Sequence, residues 1–286
     1  MTTTQPPAPA GSVTSADGTI IGYLRTGDGP GVVLVHGAGQ ASQNFTRLAS
    51  ALSDQFTVYV PDRRGRGMSG SYRDDHGLSA EVEDLAALLD HTHAHNVFGL
   101  SAGAVIAIEA ARTLPAITRL ALYEPPLESD GVIHTSWLPR YEREMAAGKP
   151  AAALVTIVKG TADRTAIRLI PRFLLTGVLG LAIRLTAGRP APAGVVSPRD
   201  LIPTMHYDAQ TVLQAAGPLD RFASLPCEVL LLGGARSARN LTITLDRLSA
   251  VLPSARRVTL PRTGHTAADN SGKPDLVATQ LRTFFS

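Results

Sequence analysis

Residues Gly99-Leu100-Ser101-Ala102-Gly103 lie between two apolar runs, Asn96-Val97-Phe98 and Ala104-Val105-Ile106-Ala107. A G-x-S-x-G pentapeptide in this position is typical of a serine at a sharp turn between a strand and a helix. Small residues on both sides of the serine let the two elements meet closely, and we expect a strained backbone at the serine itself. The stretch therefore predicts a strand, a tight turn and a helix, and it makes Ser101 a candidate nucleophile.

Segments with strand and helix patterns alternate on both sides of this turn. Such alternation predicts a mainly parallel sheet covered by helices, and an Asp17-Gly18 hairpin precedes it. The predicted strands are residues 31–35, 56–60, 96–100, 119–123, 228–232 and 257–260, and the predicted helices are residues 45–52, 79–91, 102–113, 208–216, 241–252 and 275–285.

The alternation stops near Pro125-Pro126 and does not resume until Glu228. The intervening chain is too long for a loop, and its pattern is largely helical. We therefore predict a helical cap at residues 127–205, inserted into an α/β core formed by residues 13–126 and 206–286.

The composition of the 286-residue chain limits its partners. A net charge of +3 with only 18% charged residues leaves no broad basic face, so we predict no nucleic-acid partner and favour a small apolar ligand.

Cys227 is the only cysteine, which excludes an internal disulfide and fits a reducing, cytoplasmic location. Residues 1–12 are rich in Thr, Pro and Ala and predict a disordered tail rather than a signal peptide. The oligomeric state is left open.

One part of the predicted cap is rich in arginine. Five arginines and one acid, Asp163, alternate with apolar residues between Thr161 and Pro190. A surface of this kind can rest on a membrane. We favour the simpler interpretation, in which the cap helices turn polar faces outward and apolar faces towards a pocket. The longest apolar stretch, residues 173–183, is also shorter than the roughly 20 residues of a membrane-spanning helix.

Three further motifs surround the pentapeptide, two before it and one after it. Val35-His36-Gly37-Ala38-Gly39 and Asp62-Arg63-Arg64-Gly65-Arg66-Gly67-Met68-Ser69 precede it, and Gly264-His265 follows near the end of the chain. With these motifs the chain resembles the α/β-hydrolase superfamily over everything except the cap. The resemblance implies that Ser101 is the nucleophile and that His265 is its general base. It also implies that the backbone N–H groups of Ala38 and Ala102 form an oxyanion hole.

The third member of the expected triad departs from the commoner pattern of the superfamily. In that pattern an aspartate follows the strand before the histidine, but the corresponding turn, residues 233–240, contains no carboxylate. Asp246 lies inside the next predicted helix, where it is poorly placed to reach the site. Some members carry the acid after the strand that follows the nucleophile's helix, and Glu124 occupies that place here. We therefore predict Glu124 as the acid.

The resemblance implies a metal-free serine hydrolase without a cofactor, acting on an ester, lactone, thioester or activated C–C bond of a mid-sized apolar or aromatic substrate. Two alternatives stay open: a non-hydrolytic enzyme with the same site, such as a perhydrolase, lyase, acyltransferase or cyclase, and a ligand-binding sensor with a vestigial triad. The candidate substrate-binding residues are His36, Trp137, Phe173, Met205 and His206. For His36 the resemblance implies that the side chain mainly shapes its loop rather than acting as a second base.

The run His91-x-His93-x-His95 has the spacing of a metal clip. Because it precedes the strand of the pentapeptide, it belongs at the end of the sheet opposite the nucleophile, and a metal there would be remote from the chemistry. We interpret the histidines as the solvated end of a helix and predict no metal site.

Overall fold

The computed structural model describes residues 11–161, 167, 169–186 and 195–286. Its described part contains an eight-stranded sheet with the strand order β1-β2-β4-β3-β5-β6-β7-β8. The strands are β1 (Gly11–Thr14), β2 (Ile20–Thr26), β3 (Gly31–Val35), β4 (Thr57–Pro61), β5 (Asn96–Leu100), β6 (Arg119–Tyr123), β7 (Glu228–Gly234) and β8 (Arg256–Leu260).

Only β1 and β2 pair antiparallel with their neighbours, and the strands from β4 to β8 along the sheet are parallel. The mainly parallel sheet predicted from the alternation of patterns is thus confirmed. Parallel strands end at the same edge of a sheet, so the segments that follow β3, β5, β6, β7 and β8 meet at one edge.

Ten α-helices in the described ranges surround this sheet. They are α1 (Thr46–Leu52), α2 (Leu78–Thr92), α3 (Ala102–Thr113), α4 (Leu138–Ala146), α5 (Pro150–Thr161), α6 (Arg172–Thr186), α7 (Pro198–Leu201), α8 (Thr204–Gln214), α9 (Arg239–Val251) and α10 (Pro274–Phe285). Buried residues of α2, α3 and α9 pack on one face of the sheet, and those of α1 and α10 pack on the other. Both faces of the central strands are therefore buried, which explains their unbroken apolar runs.

The start of the first strand corrects one expectation about the amino-terminal tail. Gly11 and Ser12 are part of β1, where they pair with Tyr23 and Gly22 of β2. A side chain at Gly11 would place its Cβ 2.4 Å from the Tyr23 hydroxyl, so glycine lets the two strands and that ring fit together. Residues 1–10 of the predicted disordered tail lie outside the described residues.

The helical insertion between β6 and β7 carries α4 to α7, as the sequence predicts, while its exact bounds at residues 127 and 205 stay predictions. Its outermost described helix, α6, packs against α5. The expected polar outer face is wrong for α6, because its exposed side chains are mostly apolar. This helix carries apolar residues all round, and α5 covers only one side of it. No helix in the described part is long and apolar enough to cross a membrane.

Candidate active site

The predicted turn at Ser101 has the strained geometry that its sequence indicates. Ser101 lies between β5 and α3 with φ 55°, a left-handed conformation that non-glycine residues rarely adopt. A Cβ at Gly103 would lie 2.3 Å from the carbonyl oxygen of Val35, and one at Gly99 would lie 2.5 Å from the Cα of Ala104. The two glycines therefore allow strand and helix to meet at the angle that presents the serine side chain.

A chain of hydrogen bonds joins Ser101, His265 and Glu124 at the carboxyl edge of the sheet. Ser101 Oγ lies 2.9 Å from His265 Nε2, and His265 Nδ1 lies 2.8 Å from Glu124 Oε2. The carboxylate is the acceptor at Nδ1, so this nitrogen carries a proton and Nε2 is left to accept the serine hydroxyl. The structure thus brings together the three residues that the sequence singled out.

The Glu124 side chain is buried and fixed at both carboxylate oxygens. Oε2 faces His265, and Oε1 accepts the backbone N–H of Gly234 at 2.6 Å. Glu124 has φ 47°, so this second proposed site residue also has a left-handed backbone. The bond to Gly234 ties the carboxylate to the end of β7, the neighbouring strand.

The turn after β7 shows why it can lack a carboxylate. A Cβ at Gly233 would lie 3.1 Å from Glu124 Oε1, and a Cβ at Gly234 would lie 2.5 Å from the carbonyl oxygen of Thr263. The absence of a side chain at Gly233 therefore leaves room for a carboxylate that arrives from β6, and Gly234 allows the close approach of the backbone at Thr263. Asp246 lies in the middle of α9, largely exposed, and faces Arg257 at 3.7 Å. The structure does not bring Asp246 to His265.

The loop after β3 lies beside Ser101. Ala38 and Ala102 border the same cavity as the serine hydroxyl, and Ala102 is the first residue of α3, where backbone N–H groups have no partner within the helix. On either side of Ala38, the N–H of Gly37 donates to Gln40 Oε1 at 2.9 Å and the N–H of Gly39 donates to Asp208 Oδ2 at 2.8 Å. The loop conformation is thus fixed by side chains on both sides of the proposed oxyanion donor.

His36, at the start of this loop, is fully buried and holds the loop in place. Its Nδ1 donates to the carbonyl of Gly37 at 3.0 Å, and its Nε2 accepts the backbone N–H of Arg63 at 3.3 Å. Burial, reinforced by the nearby Arg66 and Arg63 guanidiniums, lowers the pKa of His36 to about 3. The ring is therefore neutral and does not border the cavity, which agrees with the loop-shaping role that the resemblance implies and not with a place among the substrate-binding residues.

Two connected cavities meet at Ser101 and His265. The smaller one measures about 80 Å³ and extends towards Trp137 and Leu241, and the larger one measures about 400 Å³ and extends towards Leu154 and Leu201. Ala38, Thr161 and Met205 border both of them. Ser101 and His265 thus lie where a smaller and a larger cavity share their lining.

Two other predicted substrate-binding residues are not brought to these cavities, whereas Trp137 and Met205 do line them. Phe173 lies on the outer face of α6 with 74% of its surface exposed, because the covered side of that helix is the one against α5. His206 is half-exposed and directs Nδ1 at Glu142 Oε1, 2.6 Å away, because consecutive residues of a helix point about 100° apart and the buried face of α8 is the one that carries Met205.

Two polar residues of the smaller cavity, His134 and Asn240, were not predicted from the sequence, because neither belongs to a motif. His134 Nδ1 accepts from the Asn240 amide at 3.0 Å, and its Nε2 faces Thr244 Oγ1 at 3.1 Å. Burial lowers the pKa of His134 to about 4, although Glu128 opposes the shift. The wall of the smaller cavity is therefore neutral at this point.

The histidine run lies far from this edge of the sheet. His93 follows the last residue of α2, and His95 Nδ1 bonds to the carbonyl of Ala116 just before β5 begins. Across the residues that the structure describes, no three His, Cys, Asp or Glu side chains are grouped so that they could hold a metal ion.

Comparison with known proteins identifies the class. The model of the alpha/beta hydrolase family matches residues 32–280 of the chain. The protein therefore belongs to the alpha/beta hydrolase family, which confirms the resemblance seen in its motifs.

Individual relatives agree with this assignment. An alpha/beta hydrolase from Sphaerobacter thermophilus is 32% identical, covers 96% of this chain and 100% of its own, and superposes with a TM-score of 0.76. The pimeloyl-[acyl-carrier protein] methyl ester esterase of Stenotrophomonas maltophilia is 28% identical over 91% of this chain and 94% of that protein. The N-formylmaleamate deformylase of Pseudomonas putida is 38% identical, but the match spans only 46% of this chain and 52% of that protein.

Proposed function

We propose that this protein is a serine hydrolase that cleaves an ester or a related acyl bond in a mid-sized apolar substrate, with Ser101, His265 and Glu124 as its triad. The observation that carries the proposal is the continuous hydrogen-bonded chain from Ser101 Oγ through His265 to the buried carboxylate of Glu124. A serine hydroxyl is a weak nucleophile unless a base is held against it, and His265 Nε2 is held at hydrogen-bond distance.

The geometry supports a two-step acyl transfer. Ser101 Oγ attacks the substrate carbonyl while its proton passes to His265 Nε2, and the carbonyl oxygen becomes an oxyanion. Collapse of this intermediate breaks the bond to the leaving group, which takes the proton from His265, and the acyl group stays on Ser101. A water molecule then attacks the acyl-enzyme, with His265 as base, and releases the acid and the free serine.

Glu124 and two backbone groups stabilise the charges that form in these steps. Glu124 Oε2 holds the Nδ1 proton of His265, which fixes the tautomer and stabilises the imidazolium. The backbone N–H groups of Ala38 and Ala102 border the cavity beside Ser101 and are the proposed donors to the oxyanion. The N-terminal end of α3 adds its dipole to the contact from Ala102.

The substrate class follows from the two cavities and from the relatives. Apolar side chains such as Trp137, Met205 and Val212 form much of the smaller cavity, and Leu154, Ile157 and Leu201 do the same for the larger one. A compound with a small group on one side of the acyl carbon and a bulkier apolar group on the other fits this division. The name of the Stenotrophomonas maltophilia relative, a methyl ester esterase, supports an ester with a small alcohol part.

Turnover of chromogenic esters tests the proposal. A panel of p-nitrophenyl and methyl esters with acyl chains of increasing length should show hydrolysis that depends on Ser101, with Ser101→Ala as the control. Equal rates for the wild type and Ser101→Ala on every member would contradict the proposed nucleophile. A wild type that reacts covalently at Ser101 but hydrolyses none of the panel would favour the non-hydrolytic alternative.

A further inference from the structure

A buried carboxylate from outside the known motifs holds the loop that carries Ala38. Asp208 lies in α8, the first helix after the cap segment, and is almost completely buried. Its Oδ2 accepts the backbone N–H of Gly39 at 2.8 Å, although 169 residues separate the two in sequence. The residue next to the proposed oxyanion donor is therefore anchored to a helix far along the chain.

Two arginines of the motif at residues 62–69 fix Asp208 in turn. Arg66 Nη2 donates to Asp208 Oδ1 at 3.0 Å, and Arg63 Nη1 lies 2.8 Å from the same oxygen. Arg66 also donates to the carbonyl of Gln40 at 3.0 Å, so it contacts the loop directly. Arg63 is held by Glu81 through two short bonds of 2.9 and 2.6 Å.

The carboxylate is charged in this setting. Burial by itself raises the pKa of Asp208, but the charges of Arg66 and Arg63 and the hydrogen bonds from Arg66 and Gly39 outweigh it and lower the pKa. Hydrogen bonds that involve a charged partner are stronger than those between neutral groups. The contact from Gly39 is therefore a firm anchor for the backbone.

We propose that Asp208 is a positioning residue that sets the orientation of the Ala38 N–H, and so the strength of the oxyanion hole. This inference rests on the proposed serine hydrolase function. The Ala38 N–H lies in the peptide plane between Gly37 and Ala38, and the planes before and after it are held because the Gly37 and Gly39 N–H groups are bound by Gln40 and Asp208. An oxyanion donor must be aimed at the charge before it develops, and a fixed loop supplies that aim.

A neighbouring ion pair provides a matched control. Arg64, in the same motif, is fully buried and donates two hydrogen bonds to Asp84, of 2.7 and 2.6 Å. It donates a third hydrogen bond to Asp17. This pair is also buried, although Asp84 is slightly more exposed than Asp208, and none of these hydrogen bonds goes to the loop at residues 36–40. A loss that comes only from breaking a buried ion pair should appear equally in both variants.

The experiment compares Asp208→Asn with Asp84→Asn. An asparagine has a single acceptor oxygen, so at position 208 it cannot serve both Gly39 and the guanidiniums. Each variant is titrated with a fluorophosphonate to count reactive Ser101, and kcat and KM for a p-nitrophenyl ester are then expressed per reactive site. Thermal midpoints and the affinity for a trifluoromethyl ketone, which forms an oxyanion on the serine, complete the comparison.

The expected result is specific to Asp208. Its variant should lose about 10- to 100-fold in kcat per reactive site, with KM within about threefold, and should bind the ketone more weakly by a similar factor. Asp84→Asn should lower the thermal midpoint but keep kcat per site within about twofold. Arg66→Lys removes the guanidinium that joins Asp208 to the Gln40 carbonyl, and it should give a smaller loss of kcat per reactive site. If Asp208→Asn does not fold, this variant tests the proposed role of Asp208.

Two results would overturn the inference. One is an Asp208→Asn enzyme with wild-type kcat per reactive site, and the other is an equal loss in the Asp84→Asn control. A failure of the proposed function looks different, because the wild type and Ser101→Ala would then hydrolyse the ester equally slowly.

Discussion

The carboxyl edge of the sheet and the helical insertion above it differ in how their residues are held. At the sheet edge, strand ends place Ser101 and Glu124 within hydrogen-bond distance of the two ring nitrogens of His265, and steric limits at the neighbouring glycines leave little freedom. In the insertion, Trp137 is buried against the cavity, whereas Phe173 on α6 faces outward. The proposed triad is thus fixed by the ends of the sheet strands, whereas much of the lining of the proposed substrate site comes from an insertion that carries no motif.

The largest expected effect tests the sheet edge. Glu124→Gln should lower kcat about 10⁴-fold, because a neutral amide can neither hold the required tautomer of His265 nor stabilise the imidazolium. Asp246→Asn is the matched control and should stay within about twofold of the wild type, since it replaces an exposed carboxylate. The measurement is steady-state ester hydrolysis, and a larger loss for Asp246→Asn than for Glu124→Gln would contradict the assignment of the acid.

The next effect compares two aromatic residues of the insertion. Trp137→Ala should cost about 3–5 kcal/mol of unfolding free energy, because the indole is buried and packs edge-on against Tyr141. Phe173→Ala should change stability by no more than about 0.5 kcal/mol, because the ring is 74% exposed. Urea unfolding of the two variants measures both values, and equal costs would show that α6 is covered in solution.

A smaller effect concerns pH. Folding lowers the pKa of His134 from its usual value of about 6.5 to about 4. Between pH 4 and pH 6.5, His134 is therefore protonated in the unfolded chain and neutral in the folded chain. The stability that comes from keeping His134 neutral is therefore fully present above about pH 6.5, and the free energy of unfolding decreases as the pH falls towards 4.

Urea unfolding at pH 7 and pH 5 checks this dependence. The wild type should lose more stability between the two pH values than His134→Asn does, by about 1–2 kcal/mol. The neutral asparagine keeps hydrogen-bonding capacity at this position and cannot be protonated in this range. The same loss in both proteins would show that His134 is not the group that resists protonation.

Particular residues show how far the sequence alone could go. The parallel sheet was predictable because strand and helix patterns alternate along the chain. The strained turn was predictable because small residues surround Ser101 between a strand pattern and a helix pattern. Glu124 could be singled out because residues 233–240 contain no acid, although the role of Gly233 in making room for it could be seen only in the three-dimensional packing.

The misplaced residues have a common physical cause. Phe173 and His206 were assigned to the substrate site from residue type, yet which side of a helix faces the cavity depends on its tertiary neighbours. His36 does not border the cavity either, and only its loop-shaping role agrees with the structure. His134 and Asp208 are separated from the motifs in sequence and reach the site only through folding. Side-chain chemistry at the sheet edge was therefore more predictable than the lining of the cavity.

The most direct test of the proposed triad, with Ser101 as its nucleophile, is covalent labelling by a fluorophosphonate, followed by mass spectrometry of the digested protein. Such probes react with an activated serine, so the wild type should carry one label on Ser101, Ser101→Ala should carry none, and Glu124→Gln should react far more slowly. Absence of a label on Ser101 in the folded wild type, or an unchanged rate in Glu124→Gln, would contradict the account.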